Sequence, residues 1–565
     1  MTNIRPLPLA AGLILMAALA GCSTAPAPRA DAPRIDCASL TGTAIGAARM
    51  GLPSGDARID AAENVAASGV GTAAMPAFCK VLGRIAPRDA AAQAIQFQVN
   101  LPVAWNGKAL QYGGGGYNGV LVTGLTPLRD AGPTDALPIA RGYLTFGTDS
   151  GHQAASFPAS EPGAFTLNDE MLENFAFASY KKVRDVAVEL ARLHYGRAPQ
   201  RVYYFGGSEG GREGLTMAQR FPHDYDGIVS VVPVVNWTGL FHAFVRNQLP
   251  QFNDWLDATK TPRIARAVAE ACDALDGLAD GVVNHYLACQ RRVNLSALRC
   301  PDGNDTGVQC LSDAELGTLG AIHSGYTFSF PLANGVTRYP AWWWGHEDSL
   351  DGPTALNLVR WVTGTAPPSV PPQPATAATQ WLYGSNWIRY AIARDAAFDV
   401  RGYRPESFAA RVQQTSALMD STNPDLSAFF ARGGKIIVRE NGADRAQSPQ
   451  MGIDYVQSVI DRLGAAAVER SLRLYVSPAS THSGNGRSVT TGAPVPTMVD
   501  LLDPLDAWVT QGRAPADALV QTAHGPAPGF GRLAERPMCR YPAYPHYMGG
   551  DVVRAASYAC RAGRP

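Results

Sequence analysis

An alcohol becomes a nucleophile at neutral pH when a base takes its proton and an acid steadies that base. The segment Gly206-Gly207-Ser208-Glu209-Gly210 reads G-x-S-x-G. It follows the apolar run Val202 to Phe205 and opens a stretch of helical character from Arg212 onward. Strand, tight turn and helix is the context that exposes a serine on a strained elbow. The helix N-terminus adds positive potential where an oxyanion develops. Ser208 is the candidate nucleophile. On such an elbow the acid and the base follow in the chain, in the order Asp/Glu then His. Asp444 lies just past an apolar run at 434–440, and His482 just past another at 471–477. Glu440 and Asp454 are rival acids. His524 and His546 are rival bases, in a Pro/Gly-rich tail where no preceding strand is expected. His482 would take the proton of Ser208, and Asp444 would orient the imidazolium. The run Gly113-Gly114-Gly115-Gly116-Tyr117 can supply a second oxyanion N–H beside that of Glu209.

These side chains need a sheet to bring them together. Segments 95–102, 108–116 and 143–151 read as strands, and 169–195 as a long amphipathic helix. Residues 201–221 read as strand, turn and helix, and 227–235 as a buried strand. The rhythm returns with a strand at 433–441, a helix at 449–463, a strand at 471–478 and a helix at 500–512. Alternating strands and helices predict an α/β fold with a mostly parallel sheet flanked by helices. The stretch 236–428 breaks that rhythm and holds eight of the ten Trp. The expected division is one α/β sheet domain at 35–235 and 429–565, interrupted by a lid at 236–428.

The chain has 565 residues, 46% hydrophobic and 17% charged, which excludes a disordered polyelectrolyte. Lys+Arg and Asp+Glu both number 48, so no basic footprint points to nucleic acid. Arg5, the apolar residues 7–19 and Leu19-Ala20-Gly21-Cys22 read as an export signal over 1–21. They resemble the lipobox of bacterial lipoproteins, which implies acylation of Cys22, a tether at 22–34 and an outer-membrane address. A lipid anchor at Cys22 is then the only membrane contact expected.

Removing Cys22 from nine cysteines leaves eight, an even number for an oxidising compartment. Locality predicts Cys37–Cys79, Cys272–Cys289, Cys300–Cys310 and Cys539–Cys560. Within the lid, Asp273, Asp276 and Asp280 share one short loop with Gly277 and Gly281. Such a loop suits a hard cation such as Ca²⁺, with the carbonyls of Leu278 and Val282 completing the oxygen shell. The cation would be structural.

The pieces GGSEGGREG (206–214), QRFPHDYDGIV (219–229), CDALDGLADGVV (272–283), the GAD of 442–444, the TH of 481–482 and RPMCRYP (536–542) resemble the tannase/feruloyl esterase family. That family includes hydrolases of mono(2-hydroxyethyl) terephthalate. The resemblance covers about residues 35–562. It implies an α/β-hydrolase domain with a lid, hydrolysis of aromatic carboxylic esters, and Ca²⁺ on Asp273, Asp276, Leu278, Asp280 and Val282. It also implies that Gly116 gives the second oxyanion N–H.

Two departures stand out. The family usually joins a Cys before the serine to a Cys after the histidine; here those positions hold Gly207 and Ser483. A terephthalate monoester is expected to need a lid arginine for its free carboxylate, and 376–388 has none, with Ala378 or a neighbour in that place. A neutral or phenolic aromatic ester, feruloyl, galloyl or related, is therefore the first expectation and the terephthalate monoester the second. Trp361, Trp381, Leu382 and Tyr383 are candidates for stacking the ring. A calcium-stabilised surface binding protein without catalysis is the alternative of another class.

Overall fold

The computed structural model describes residues 34–69, 74–371, 373–374 and 376–563. The expected signal segment and Cys22 lie outside the described residues. Up to the insertion the strands are β1 (Ala44–Ile45), β2 (Ala57–Val65), β3 (Phe78–Ile85), β4 (Ile95–Pro102), β5 (Lys108–Tyr112), β6 (Leu144–Thr148), β7 (Arg201–Gly207) and β8 (Gly227–Val231). The insertion carries a small hairpin of β9 (Tyr326–Thr327) and β10 (Arg338–Tyr339). After it come β11 (Lys435–Asn441), β12 (Leu472–Ser477), β13 (Ala518–His524), β14 (Arg532–Arg540), β15 (Ala543–Tyr547) and β16 (Tyr558–Ala562).

One sheet of twelve strands runs β1-β2-β3-β4-β6-β5-β7-β8-β11-β12-β14-β13. Its middle, β6 to β12, is parallel throughout. The strands of β6, β8 and β12 are buried at every position, as expected where helices cover both faces. Both flanks are antiparallel. The sheet is thus mixed, a parallel core with antiparallel arms. Apart from β4, expected at 95–102, the arms escape a pattern search because their burial is irregular: β2 alternates only at its start and slips register between Ile59 and Ala61. The C-terminal tail is also stranded, so His524 ends β13 and His546 sits within β15, contrary to the loop expected there.

The helix expected at 169–195 is present as Asp169–Glu173 and Ser179–Tyr195, joined by one wide π turn at Asn174–Ala178. The insertion leaves the sheet after β8 and re-enters at β11, its direct parallel neighbour. It is built from helices including Trp237–Gln248, Thr261–Cys272, Thr379–Asn386 and Ala409–Met419. Trp237, Trp342, Trp381 and Trp387 form its core, each no more than 1% exposed. The four disulfides expected from locality are all present. Among the described residues no helix is long and apolar enough to cross a membrane.

Candidate active site

β7 delivers the chain from the buried sheet into the elbow, and helix Glu209–Arg220 leaves it. Ser208 sits between them at φ 61° and ψ −124°, a strained conformation that holds the hydroxyl clear of both elements. The crossing is too tight for side chains at two positions. A Cβ on Gly206 would meet Gly210 Cα at 2.9 Å, and one on Gly210 would meet the Gly114 carbonyl at 2.7 Å.

The ends of β11 and β12 supply the partners. Asp444 lies three residues past β11 and His482 five past β12, and these strands pair in parallel. His482 Nε2 is 2.9 Å from Ser208 Oγ, and its Nδ1 is 2.6 Å from Asp444 Oδ2. Asp444 is fully buried, and its other oxygen accepts the N–H groups of Ala446 at 2.7 Å and Gln447 at 3.0 Å. Neighbouring bonds lock the two loops together. Asn441 Nδ2 donates to the Thr481 carbonyl at 2.8 Å, and the Ala443 N–H to the Ser480 carbonyl at 3.0 Å. The insertion joins in through Asn357 Nδ2, which donates to the Ala443 carbonyl at 2.6 Å.

The rivals take other places. Glu440 is buried, accepts Gln447 Nε2 at 2.7 Å, and its carboxyl is pushed well up, by burial first and then by the nearby Asp444. Asp454 accepts Gln450 Nε2 at 2.8 Å along its own helix. The imidazole of His524 lies between the Phe530 carbonyl and Thr522 Oγ1, at 2.9 Å from each.

Beneath the elbow lies an ion pair with no access to water. Arg212 Nε donates to both oxygens of Glu209 at 2.8 Å, and both side chains are buried. Burial pushes the Glu209 carboxyl up to about 8, against the pull of Arg212. Arg212 also donates to the carbonyls of Ala176, Phe175 and Met419. The first two belong to the π turn, where the regular ladder releases carbonyls for outside donors. Glu213 braces the glycine loop: Gly114 N–H donates to it at 3.1 Å and Asn118 Nδ2 at 2.6 Å.

Gly116, Ser208 and Glu209 line one narrow cavity together with Val234, Trp237, Phe241, Trp361, Tyr383 and Ala446. Gly116 adopts φ 58°, and the Tyr383 hydroxyl lies 2.7 Å from the place a Cβ would take there. The Trp361 ring stands edge-on to His482, centroids 5.2 Å apart. Trp381, expected to stack a substrate ring, is instead core. It is fully buried, donates Nε1 to the Ser369 carbonyl at 2.8 Å and packs edge-on to Phe252.

Two flanking residues escape sequence reasoning. Asp351 accepts the Ser483 N–H at 2.6 Å and Trp361 Nε1, and Arg360 lies 3.6 Å away. Burial raises its carboxyl, but His482 and the N–H donors outweigh that and hold it below the ordinary 3.8. Arg129 donates Nη2 to the His482 carbonyl. These partners lie 132 and 353 residues apart in sequence, with no motif around either. Glu213 lies in the GGREG run at 210–214, and its place directly after the elbow is the only signal the sequence offers for it.

In the acidic loop of the insertion, Asp273 accepts the N–H groups of Asp280, Gly281 and Val282. Asp276 is fully buried and accepts Leu278 N–H at 3.0 Å and the Asn284 amide. Asp280 pairs with Arg536 at 2.9 Å. Among the described residues no three His, Cys, Asp or Glu gather as a metal-holding group.

The family model for tannase and feruloyl esterase matches residues 79–561. The chain is 35% identical to an uncharacterized esterase of Agrobacterium fabrum, over 93% of this chain and 92% of that one. It is 31% identical to the mono(2-hydroxyethyl) terephthalate hydrolase of Piscinibacter sakaiensis, over 87% and 86%. Feruloyl esterase B from Aspergillus oryzae has the same fold, with a TM-score of 0.73 at 22% identity, covering 93% of this chain and 99% of that one. That likeness extends across the α/β-hydrolase sheet and its insertion. With the parallel core of the sheet, the insertion and the elbow all inside the family match, the chain belongs to the tannase and feruloyl esterase family of ester hydrolases.

Proposed function

We propose that this esterase cleaves aromatic esters of neutral or phenolic acyl groups through an acyl-enzyme on Ser208. The observation that carries the reading is the continuous relay from Ser208 Oγ through the imidazole to Asp444, opening on a cavity lined by aromatic rings. Ser208 Oγ attacks the ester carbonyl carbon while its proton passes to His482 Nε2. The oxyanion takes N–H donation from Glu209 and Gly116, which share the cavity wall with Ser208. As the tetrahedral adduct collapses, the C–O bond to the alcohol breaks and His482 returns the proton to the departing oxygen. Water, deprotonated in turn by His482, then releases the acid.

Trp361, Trp237 and Phe241 form an aromatic slot for the acyl ring. Among the described residues no Lys or Arg lines that slot. Arg360, the charged neighbour of Trp361, donates to the Asp351 carbonyl at 2.8 Å. A free carboxylate on the ring would enter unpaired, at a desolvation cost of several kcal/mol, and this favours feruloyl- or galloyl-type esters. The terephthalate monoester is the second reading, favoured by the 31% identical relative named for that substrate. Rates on methyl ferulate, methyl gallate and mono(2-hydroxyethyl) terephthalate decide between them, and a clear preference for the last would overturn the first reading. Hydrolysis of 4-nitrophenyl acetate by Ser208→Ala at the wild-type rate would remove the nucleophile and leave a binding protein.

Calcium belongs to the same proposal as a structural ion. The donor set is hard oxygen from Asp273, Asp276 and Asp280, with the Leu278 and Val282 carbonyls within the same turn. Support comes from three carboxylates within one tight turn, with Asp276 fully buried among them. An unchanged melting midpoint in excess EDTA would count against it. Export is supported by four disulfides, which persist in oxidising compartments. The lipid anchor at Cys22 completes the proposal, to be checked by mass spectrometry of the mature N-terminus.

A further inference from the structure

We propose that Arg129 and Asp351 are positioning residues that grip one peptide group, the link between His482 and Ser483, and so set the reach of the imidazole to Ser208. The proposal rests on the Ser208–His482 relay described above. The carbonyl of that peptide accepts Arg129 Nη2, and its N–H donates to Asp351 Oδ1 at 2.6 Å. A cation holds the oxygen and an anion holds the hydrogen. Each contact polarises the peptide in the sense that strengthens the other, and charge-assisted bonds of this kind are the strong ones.

The loop needs an external hold. Gly484, with φ 81°, follows directly and supplies a hinge beside the catalytic imidazole. No disulfide among the described residues reaches it. Arg129 also reaches the elbow itself. A Cβ on Gly207 would meet Arg129 Nε at 2.7 Å and Nη1 at 2.9 Å, so the guanidinium lies across the backbone that precedes Ser208. One side chain therefore touches both the serine loop and the histidine loop. It is anchored in turn by its neighbour: the Asp130 carbonyl accepts Val499 N–H at 2.7 Å, and its carboxylate lies 3.4 Å from the buried Arg439. Asp351 is fixed from the insertion side by Trp361 Nε1. The glycine at 207 is then explained by the space Arg129 occupies, and any side chain there must displace the clamp.

Steady-state kinetics on 4-nitrophenyl acetate test this, with melting measured in parallel. Arg129→Ala is expected to lower kcat about 10- to 100-fold, the scale of a small misplacement of catalytic groups. KM should stay within about twofold and the melting midpoint should not move. Arg129→Lys, which keeps one donor, should recover part of the loss, and Asp351→Asn should also lower kcat. The decisive variant is Arg129→Ala/Gly207→Cys/Ser483→Cys, which replaces the ionic tie by a covalent one in the vacated space. Its disulfide, verified by mass spectrometry, should raise kcat well above that of Arg129→Ala/Gly207→Ser, which cannot cross-link. Wild-type kcat in Arg129→Ala would overturn the proposal. So would parallel losses of kcat, KM and melting temperature, free thiols in the triple variant, or no recovery on cross-linking. Ser208→Ala in the same assay separates the two readings: if it is inactive while Arg129→Ala is fully active, only the clamp falls.

Discussion

Cys37–Cys79, Cys272–Cys289, Cys300–Cys310 and Cys539–Cys560 staple the N-terminal arm, the insertion and the C-terminal strands, whereas the loops bearing Ser208, Asp444 and His482 meet through hydrogen bonds and ion pairs. The stapled segments are loop-rich or edge-stranded, and a cross-link helps there by restricting the unfolded chain. It does little to aim a side chain. The mouth of the sheet has the opposite need. Its strands are already buried, and what must be fixed is the direction of an imidazole and a carboxylate to within a fraction of an ångström. Directional bonds from fully buried partners such as Asp444 and Asn441 serve that purpose.

The largest effect expected is at the mouth. Asp444→Asn keeps an oxygen for the Ala446 and Gln447 N–H groups but turns an amide toward His482 Nδ1, which forces the wrong tautomer. A loss of roughly 10⁴-fold in kcat is expected with the fold intact, by comparison with other triads; circular dichroism and kinetics on one preparation check it. At the periphery the order reverses. Cys37→Ser with Cys79→Ser opens a 42-residue loop on β3, four strands from β7 in the sheet order. Stability should fall by about 4 kcal/mol in the loop-entropy model, with kcat unchanged. A parallel fall in kcat would break the division between stapled and aimed regions.

The smallest effect sharpens the boundary between them. Glu440, beside the Asp444 loop, has one carboxyl oxygen without a partner and a carboxyl held well above its ordinary 4.5, with burial as the main cause. A raised carboxyl contributes its full stability below 4.5, where folded and unfolded chains are both protonated. That contribution is lost as pH climbs from there toward the folded value. Glu440→Gln should therefore stabilise by about 1 kcal/mol at neutral pH, and by less at pH near 4.5. Urea unfolding at the two pH values reads the difference.

The meeting of Ser208, Asp444 and His482 was legible because each follows an apolar run that becomes a parallel strand, β7, β11 or β12. Locality sufficed for the disulfides because each joins cysteines no more than 42 residues apart, within its own segment. Beyond β4 the antiparallel strands were not legible. β14 contains Pro537, and β15 of the separate C-terminal hairpin contains Pro545, so turn-like composition masked both strands. Trp381 was read as a ligand contact because an aromatic in a lid looks the same from sequence whether it faces a slot or Phe252. Arg129 and Asp351 gave no signal, since their partners are fixed by the closing of distant loops.

The insertion does more than roof the cavity. Asn357 and Gln380 donate to the carbonyls of Ala443 and Arg445, and Glu347 pairs with Arg445 at 2.8 Å in full burial. The segment that walls the cavity therefore also scaffolds the loop of Asp444. Cavity wall and Asp444 loop share a foundation in this enzyme. Exchanging the whole insertion for that of a relative would import a new slot and, with it, a foreign cradle for the residue that keeps the base in register.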